Sequence, residues 1–176
     1  LPLLCDADHG YGNALSVMRT VEELETAGVA GLSIEDTLLP QAYGTGEAQQ
    51  ILSLEEGVGK MKAALAGRRD PDLVIAGRTS AIQITGIEDT IRRAKAYEAA
   101  GVDAIFLVGV KTRQELETIA PNLKAPIILG TATPELSDRA YLARQGVRVC
   151  LQGHQPFQAS VQAIYATLKA LRDGVA

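Results

Sequence analysis

Short apolar runs alternate with longer amphipathic stretches along most of the chain. The apolar runs lie at residues 2–5, 31–34, 73–77, 104–108, 126–129 and 147–151. Between them, apolar side chains recur at helical spacing over residues 14–27, 54–65, 87–100, 113–119, 134–145 and 156–171. Parallel strands joined by crossover helices produce this alternation. The pattern therefore predicts one α/β sheet of six strands.

The loops of this predicted sheet are of two kinds. Three helical stretches end at a glycine and lead at once into an apolar run, in TAGVAGL, AAGVDAIFL and RQGVRVCL. The loops that follow the strands are longer and more polar, which is typical of a barrel whose working face lies at the carboxyl ends of its strands. Because a complete barrel has eight strands in about 250 residues, we expect a single partial domain over residues 1–176. It would be an incomplete (β/α)8 TIM-type barrel of about six βα units without its N-terminal strands.

An open doubly wound sheet is the alternative architecture. It is less favoured because GYGN, after the first apolar run, lacks the third glycine of a dinucleotide-binding turn.

Composition narrows the class of protein. The chain is 47% hydrophobic and 22% charged, with 17 basic and 21 acidic residues and no basic cluster long enough to follow a phosphate backbone, so nucleic acid is not an expected partner. No apolar run approaches the roughly 20 residues that cross a bilayer, and the first residues lack the features of a signal peptide. We expect a cytoplasmic protein without a membrane partner. Cys5 and Cys150 lie in apolar runs, and we expect both to be buried core residues.

An acidic pair follows the first apolar run in CDADHGYG. Asp6 and Asp8 are two residues apart, so in an extended chain their side chains point to the same side. Gly10 and Gly12 then allow a sharp turn. Two neighbouring carboxylates raise each other's pKa unless a cation relieves them. Aspartate and glycine are also common turn residues, so this pair alone is compatible with a metal site or with a simple turn.

A second acidic pair strengthens the metal interpretation. Glu35 and Asp36 follow the second apolar run in LSIEDT. Adjacent strand ends lie about 5 Å apart, so Glu35 can reach the same ion as Asp6 and Asp8. Three oxygen ligands completed by water suit Mg²⁺ or Mn²⁺. We therefore predict a metal site formed by these three carboxylates.

Two further polar residues end predicted strands. Arg78 closes the third run in VIAGRTSA, where a guanidinium needs an anion. A substrate carboxylate would serve, and so would a salt bridge to Glu35 or Asp36. His154, in CLQGHQPF, follows the last run, where it could bind a substrate oxygen, shuttle a proton or cap a helix.

The longest non-periodic segment, residues 37–53, follows the second predicted strand. Loops of this length are commonly lids or disordered segments. Pro40, Gly44 and Gly46 are candidate hinge points, and we interpret the segment as an active-site lid.

Three motifs in order, DADHGYG, IEDT with a lid, and GRTSA, resemble the phosphoenolpyruvate mutase and isocitrate lyase superfamily of magnesium-dependent (β/α)8 barrels. The match spans essentially the whole chain. The resemblance implies that Asp6 binds the metal directly, that Asp8 and Glu35 bind it through water, and that Arg78 holds a substrate carboxylate. It also implies a homo-oligomer. The family's first two strands, which carry a substrate-binding loop and a further metal-binding Asp, have no counterpart in this sequence.

The lid sequence narrows the resemblance. Residues 37–53 contain neither the Lys-Lys-Cys-Gly-His motif of isocitrate and methylisocitrate lyases nor the Lys and Asn of mutase and phosphonate hydrolase lids. TLLPQAYG and His154 are similar to the bacterial oxaloacetate decarboxylases of the superfamily. This implies Mg²⁺-dependent decarboxylation of oxaloacetate to pyruvate and CO₂ through an enolate, with Arg78 and His154 as catalytic and substrate-binding residues.

Other functions stay open at this point. One is a C–C lyase of the 2-methylisocitrate or isocitrate type. Another is a non-catalytic truncated barrel that binds a metal or a partner subunit. A phosphate-binding barrel is a weaker option, because GTATP and QGHQP after the last two strands are only partly glycine-rich.

Overall fold

The computed structural model describes residues 1–40, 43–44 and 49–175, which contain one parallel six-stranded sheet. Its strands are β1 (Leu4–Asp6), β2 (Gly31–Glu35), β3 (Val74–Thr79), β4 (Ala104–Leu107), β5 (Ile127–Leu129) and β6 (Val147–Cys150). They lie side by side in chain order. A doubly wound sheet would reverse that order at a switch point. The predicted partial (β/α) barrel is therefore confirmed.

Each strand is followed by one or two helices. They are α1 (Ala14–Thr26), α2 (Leu54–Gly67), α3 (Ala81–Ile84), α4 (Ile87–Ala100), α5 (Arg113–Ile119), α6 (Arg139–Arg144) and α7 (Gln155–Arg172). The sequence pattern missed α3. The prediction of one helix over residues 134–145 is wrong, because the Asp138 side chain accepts hydrogen bonds from the backbone N–H groups of Ala140 and Tyr141 and starts α6 there. A separate 3₁₀ turn, Pro134–Leu136, precedes it.

The core lies where the middle strands meet the helices. Every residue of β2, β4 and β5 is buried, as expected for parallel strands covered by helices. Cys5 and Cys150 are free thiols packed against this core but only partly buried, so the prediction of full burial is wrong for both.

The last helix differs from the others. Over its full described length, α7 has no buried residue, and Phe157, Ile164 and Leu168 are among its exposed apolar side chains. Within the described part of the chain, no helix is both long and apolar enough to span a membrane.

An ion pair joins the amino ends of β3 and β4. Asp103 Oδ2 accepts hydrogen bonds from Arg68 Nη1 at 2.6 Å and from the Ile75 backbone N–H at 2.8 Å. Arg68 also donates to the Leu73 carbonyl at 2.9 Å. These contacts give Asp103 a structural role at this end of the sheet.

Candidate active site at the carboxyl ends of the first three strands

The loop after β1 is a tight turn that begins within the acidic pair. Asp8 and Tyr11 have positive φ angles of 46° and 56°. Asp8 thus lies outside the extended strand, so the prediction of an extended chain through both aspartates is wrong and strand alternation does not set the direction of its side chain. Asp6 Oδ1 instead accepts a hydrogen bond from the Asp8 backbone N–H at 3.0 Å. The Asp8 carbonyl accepts one from the Glu35 N–H at 2.8 Å, which ties the turn to the end of β2.

A glycine is required in this turn. Gly10 has a φ angle of 74°, and an added Cβ there would lie 2.4 Å from the Val17 side chain. The turn therefore packs directly onto α1, and this close approach fixes the loop that carries Asp8.

Arg78 lies between two carboxylates from neighbouring strands. Its Nη1 donates to Asp6 Oδ2 at 2.5 Å. Its Nε lies 2.9 Å from Glu35 Oε2, an ion pair whose angles fall outside those of a hydrogen bond. Glu35 and Arg78 are register partners on β2 and β3. The guanidinium also stacks over the Phe106 ring of β4, 5.2 Å from its centroid. Of the predicted partners, Arg78 therefore contacts Glu35 and not Asp36.

The charges around Arg78 do not balance. Glu35 is only 6% exposed. Burial raises the pKa of its carboxyl, and the facing Arg78 lowers that pKa in part. Among the described residues, Asp6, Asp8 and Glu35 supply three carboxylates, against the Arg78 guanidinium and the Lys60 ammonium, which interacts with Glu35. The site is therefore electrostatically suited to an additional cation.

The donor set fits a hard divalent cation in its chemistry. Carboxylate oxygens are the ligands that Mg²⁺ prefers, and those of Asp6 and Glu35 converge on one position, which the Arg78 guanidinium holds here. Among the described residues, no three His, Cys, Asp or Glu side chains are already arranged to hold a metal ion. Mg²⁺ bound directly by both Asp6 and Glu35 would therefore displace Arg78 from them.

A buried polar cluster lies directly beyond this site, and the sequence patterns did not reveal it. Asp36 is fully buried, and its Oδ2 accepts hydrogen bonds from Tyr97 Oη at 2.6 Å, Thr79 Oγ1 at 3.0 Å and Arg93 Nη1 at 3.2 Å. Burial raises the pKa of Asp36, against the lowering effect of these donors. Arg93 also donates from Nε to Asp89 at 2.8 Å. We call Asp36, Thr79, Arg93 and Tyr97 the Asp36 cluster.

The two ends of the predicted lid segment lie side by side, next to the end of β2. The Asp36 carbonyl accepts a hydrogen bond from the Leu52 N–H at 2.8 Å, and Thr37 forms an antiparallel bridge with Ile51. Residues 41–42 and 45–48 of the segment lie outside the described residues, so its role as a lid stays a prediction. The bases of the segment are anchored beside the end of β2.

A buried lysine also supports the site. Lys60 of α2 is 7% exposed, and its Nζ donates to the His9 carbonyl at 2.6 Å. Burial lowers the pKa of Lys60, while nearby carboxylates, including Glu35, raise it. The sequence patterns did not single out Lys60, because it falls within the periodic pattern of α2. It braces the turn after β1 from the helix side.

His154 forms no side-chain contact with these residues in the described part of the chain. It is exposed, precedes α7 and follows β6, which forms the sheet edge opposite β1. Within the described ranges, no hydrogen bond or ion pair joins it to Arg78, and its side chain does not cap α7. A cavity of about 1020 Å³, between α6 and β6, is likewise away from the carboxylates. The structure thus brings together Asp6, Glu35 and Arg78, with Asp8 in the adjoining turn.

Comparisons with known proteins show what this chain is similar to. An oxaloacetate decarboxylase of Bradyrhizobium diazoefficiens is 64% identical over 174 residues, which cover 99% of this chain and 60% of that protein. The chain thus spans 60% of this relative's length.

Solved structures of related enzymes superpose on nearly the whole chain. A phosphoenolpyruvate phosphomutase from Streptomyces platensis subsp. rosaceus has a TM-score of 0.86 at 30% identity, over 99% of this chain and 63% of that one. A phosphonopyruvate hydrolase in complex with oxalate and Mg²⁺ has a TM-score of 0.84 at 33% identity, over 99% and 62%. The phosphoenolpyruvate phosphomutase family model matches residues 1–172. The chain therefore belongs to the phosphoenolpyruvate phosphomutase family.

Proposed function

We propose that the protein carrying this chain decarboxylates oxaloacetate to pyruvate and CO₂ with the help of Mg²⁺. Support comes from the 64% identity to a protein named oxaloacetate decarboxylase and from the similarity to a family enzyme that binds oxalate and Mg²⁺. Cytoplasmic localisation and homo-oligomerisation remain predictions from the sequence.

One observation carries the proposal, namely the position of the Arg78 guanidinium between Asp6 and Glu35. A dianionic α-oxo acid would offer Arg78 a carboxylate, and a planar guanidinium binds carboxylates in a bidentate manner. A divalent cation would take over the two protein carboxylates. Binding would thus replace the present ion pairs by two new ones, Arg78 with the substrate carboxylate and the metal with Asp6 and Glu35.

The reaction requires little acid–base chemistry. The C3–C4 bond of oxaloacetate breaks, C4 leaves as CO₂, and the electron pair passes towards the C2 carbonyl to give the pyruvate enolate, which is then protonated at C3. A bound Mg²⁺ would supply Lewis-acid polarisation of that carbonyl, and Asp6, Asp8 and Glu35 would hold it. Arg78 would neutralise a substrate carboxylate, with its guanidinium oriented by Phe106. His154 is proposed to orient the substrate or to protonate C3.

The test is pyruvate formation from oxaloacetate by the complete gene product, after subtraction of the reaction without enzyme. Asp6→Ala should reduce the Mg²⁺-dependent rate at least about 100-fold. The side chain of Asp6 is 57% exposed, so the folded state should survive this change. Asp72→Ala, at an exposed position remote from the site, is the control.

Full activity in Asp6→Ala would refute the assignment of the site. Product analysis with 2-methylisocitrate in place of oxaloacetate distinguishes decarboxylation from the alternative C–C lyase activity.

A further inference from the structure

The Asp36 cluster is buried almost completely. Asp36 and Tyr97 are 0% exposed, Thr79 is 1% exposed and Arg93 is 4% exposed. Buried ion pairs cost desolvation energy and often contribute little to net stability. A purely stabilising role is therefore a weak explanation for a buried carboxylate, guanidinium and phenol at one position.

The cluster holds one carboxylate oxygen in a fixed orientation. Asp36 Oδ2 accepts all three hydrogen bonds, from β3 and from two positions on α4. Among the described residues, Asp36 Oδ1 is buried without a hydrogen-bond partner. Arg93 is in turn held from its other side by Asp89. The orientation of Asp36 thus depends on donors that α4 and β3 fix in place.

The position of the cluster in the sheet connects it to the site. Asp36 directly follows Glu35, and Thr79 directly follows Arg78, which is the register partner of Glu35. The Thr79–Asp36 hydrogen bond therefore joins the two strands one residue beyond the Glu35–Arg78 ion pair. Successive residues of a strand are about 3.3 Å apart, so movement of Asp36 or Thr79 displaces the backbone that carries the ion pair.

We propose that Asp36, Thr79 and Tyr97 are positioning residues that set the relative placement of Glu35 and Arg78. This inference deepens the proposed function, and its activity readout rests on that function. Tyr97 acts through its hydroxyl, which holds Asp36 without contacting the site itself. Thr79 links the two strands through its own hydroxyl.

The test compares the same substitution at two buried tyrosines. Tyr97→Phe removes a donor to Asp36 and retains the ring. Tyr141→Phe is the matched control, because Tyr141 is also buried and its hydroxyl contacts only Glu117 and the Arg113 carbonyl among the described residues. The direct readout is the NMR signal of the Arg78 Nε–H group, which Arg78→Lys assigns by its disappearance.

The expected result is a shift or broadening of the Arg78 signal in Tyr97→Phe and no change in Tyr141→Phe. The kcat for oxaloacetate should fall about tenfold only in Tyr97→Phe, with KM changed less than about threefold. An unchanged Arg78 signal in Tyr97→Phe would overturn the proposal. The NMR readout decides this even if the protein does not decarboxylate oxaloacetate.

A second pair of variants tests the proposal independently, in case Tyr97→Phe does not fold. Thr79→Val removes the hydroxyl that donates to Asp36, whereas Thr79→Ser retains it. Thr79→Val should move the Arg78 signal and Thr79→Ser should leave it near its wild-type position. Equal shifts in both variants would contradict a role for the hydroxyl.

Discussion

Each end of the parallel sheet carries a half-buried arginine that forms an ion pair with an aspartate. The two ion pairs differ in how fully their polar groups are hydrogen-bonded and their charges balanced. At the amino ends, Arg68 and Asp103 neutralise each other, and both also bind backbone groups. At the carboxyl ends, Arg78 is shared by Asp6 and Glu35, and its Nε does not form a proper hydrogen bond. The Arg68–Asp103 pair is therefore neutral, with both partners hydrogen-bonded, whereas the group around Arg78 retains excess negative charge.

This difference separates a structural ion pair from a binding site. A satisfied pair gains nothing by releasing its partner, so a ligand cannot compete for it without loss. A guanidinium between two carboxylates can be given up to a ligand anion when a metal cation replaces it. The carboxyl ends are therefore the end of the sheet at which ligand exchange costs least.

The largest effect should come from exchanging each arginine for lysine. The Arg78 and Arg68 side chains are 17% and 19% exposed, which makes them a matched pair. Arg78→Lys keeps the charge but loses the planar fork, and we expect oxaloacetate turnover to fall about 100-fold. Arg68→Lys should keep its turnover and lose about 1 kcal/mol of unfolding free energy. Steady-state kinetics measures the loss of turnover, and urea denaturation measures the loss of stability. Equal losses of turnover in the two variants would contradict the assignment of binding to the carboxyl ends of the strands.

The packing around the Asp36 cluster should separate two glycines of α2. An added Cβ at Gly57 would lie 2.4 Å from Tyr97 Oη, whereas one at Gly59 would meet nothing within 4 Å. Gly57→Ala should cost about 1–3 kcal/mol of unfolding free energy through overpacking. Gly59→Ala should gain about 0.5–1 kcal/mol from helix propensity. Thermal and urea unfolding of the two variants provide the comparison, and a stabilised Gly57→Ala would show that the Tyr97 hydroxyl has room to move.

The pH dependence of stability should show that the ion pairs of Asp89 stabilise the fold, as we infer for the Arg68–Asp103 pair at the amino ends of the strands. Burial opposes ionisation of Asp89, but hydrogen bonds from Arg93, Thr85 and Arg92 lower its pKa from 3.8 to about 2. Its carboxylate thus contributes about 2 kcal/mol above pH 4, and that contribution is lost as the pH falls towards 2. Asp89→Asn should be less stable by about this amount at pH 5 and by about half of it at pH 3. Urea unfolding at both pH values tests this, and a difference that does not change with pH would contradict it.

The sequence predicted the strands well and the contacts between distant residues poorly. The ends of β1, β2 and β3 could be located because each apolar run stops at a charged residue, and parallel pairing then brings Asp6, Glu35 and Arg78 together. The turn conformation of Asp8 could not be predicted, because a positive φ angle at aspartate leaves no periodic signal.

Asp36 illustrates why contacts between distant residues could not be predicted. Its partners Arg93 and Tyr97 lie 57 and 61 residues away, on a helix whose pattern gives only its buried face. An acidic residue next to Glu35 was therefore interpreted as part of the acidic pair, although the fold directs it into the core. For His154 the pattern gave its place after the last strand, which the structure bears out, and its role stays a prediction.

A crystal structure of the complete gene product with Mg²⁺ and oxalate tests the central claim most directly. We predict that an oxalate oxygen lies about 3 Å from the Arg78 guanidinium and that Mg²⁺ lies between Asp6 and Glu35. Oxalate and Mg²⁺ bound elsewhere, with Arg78 still held between Asp6 and Glu35, would contradict the account.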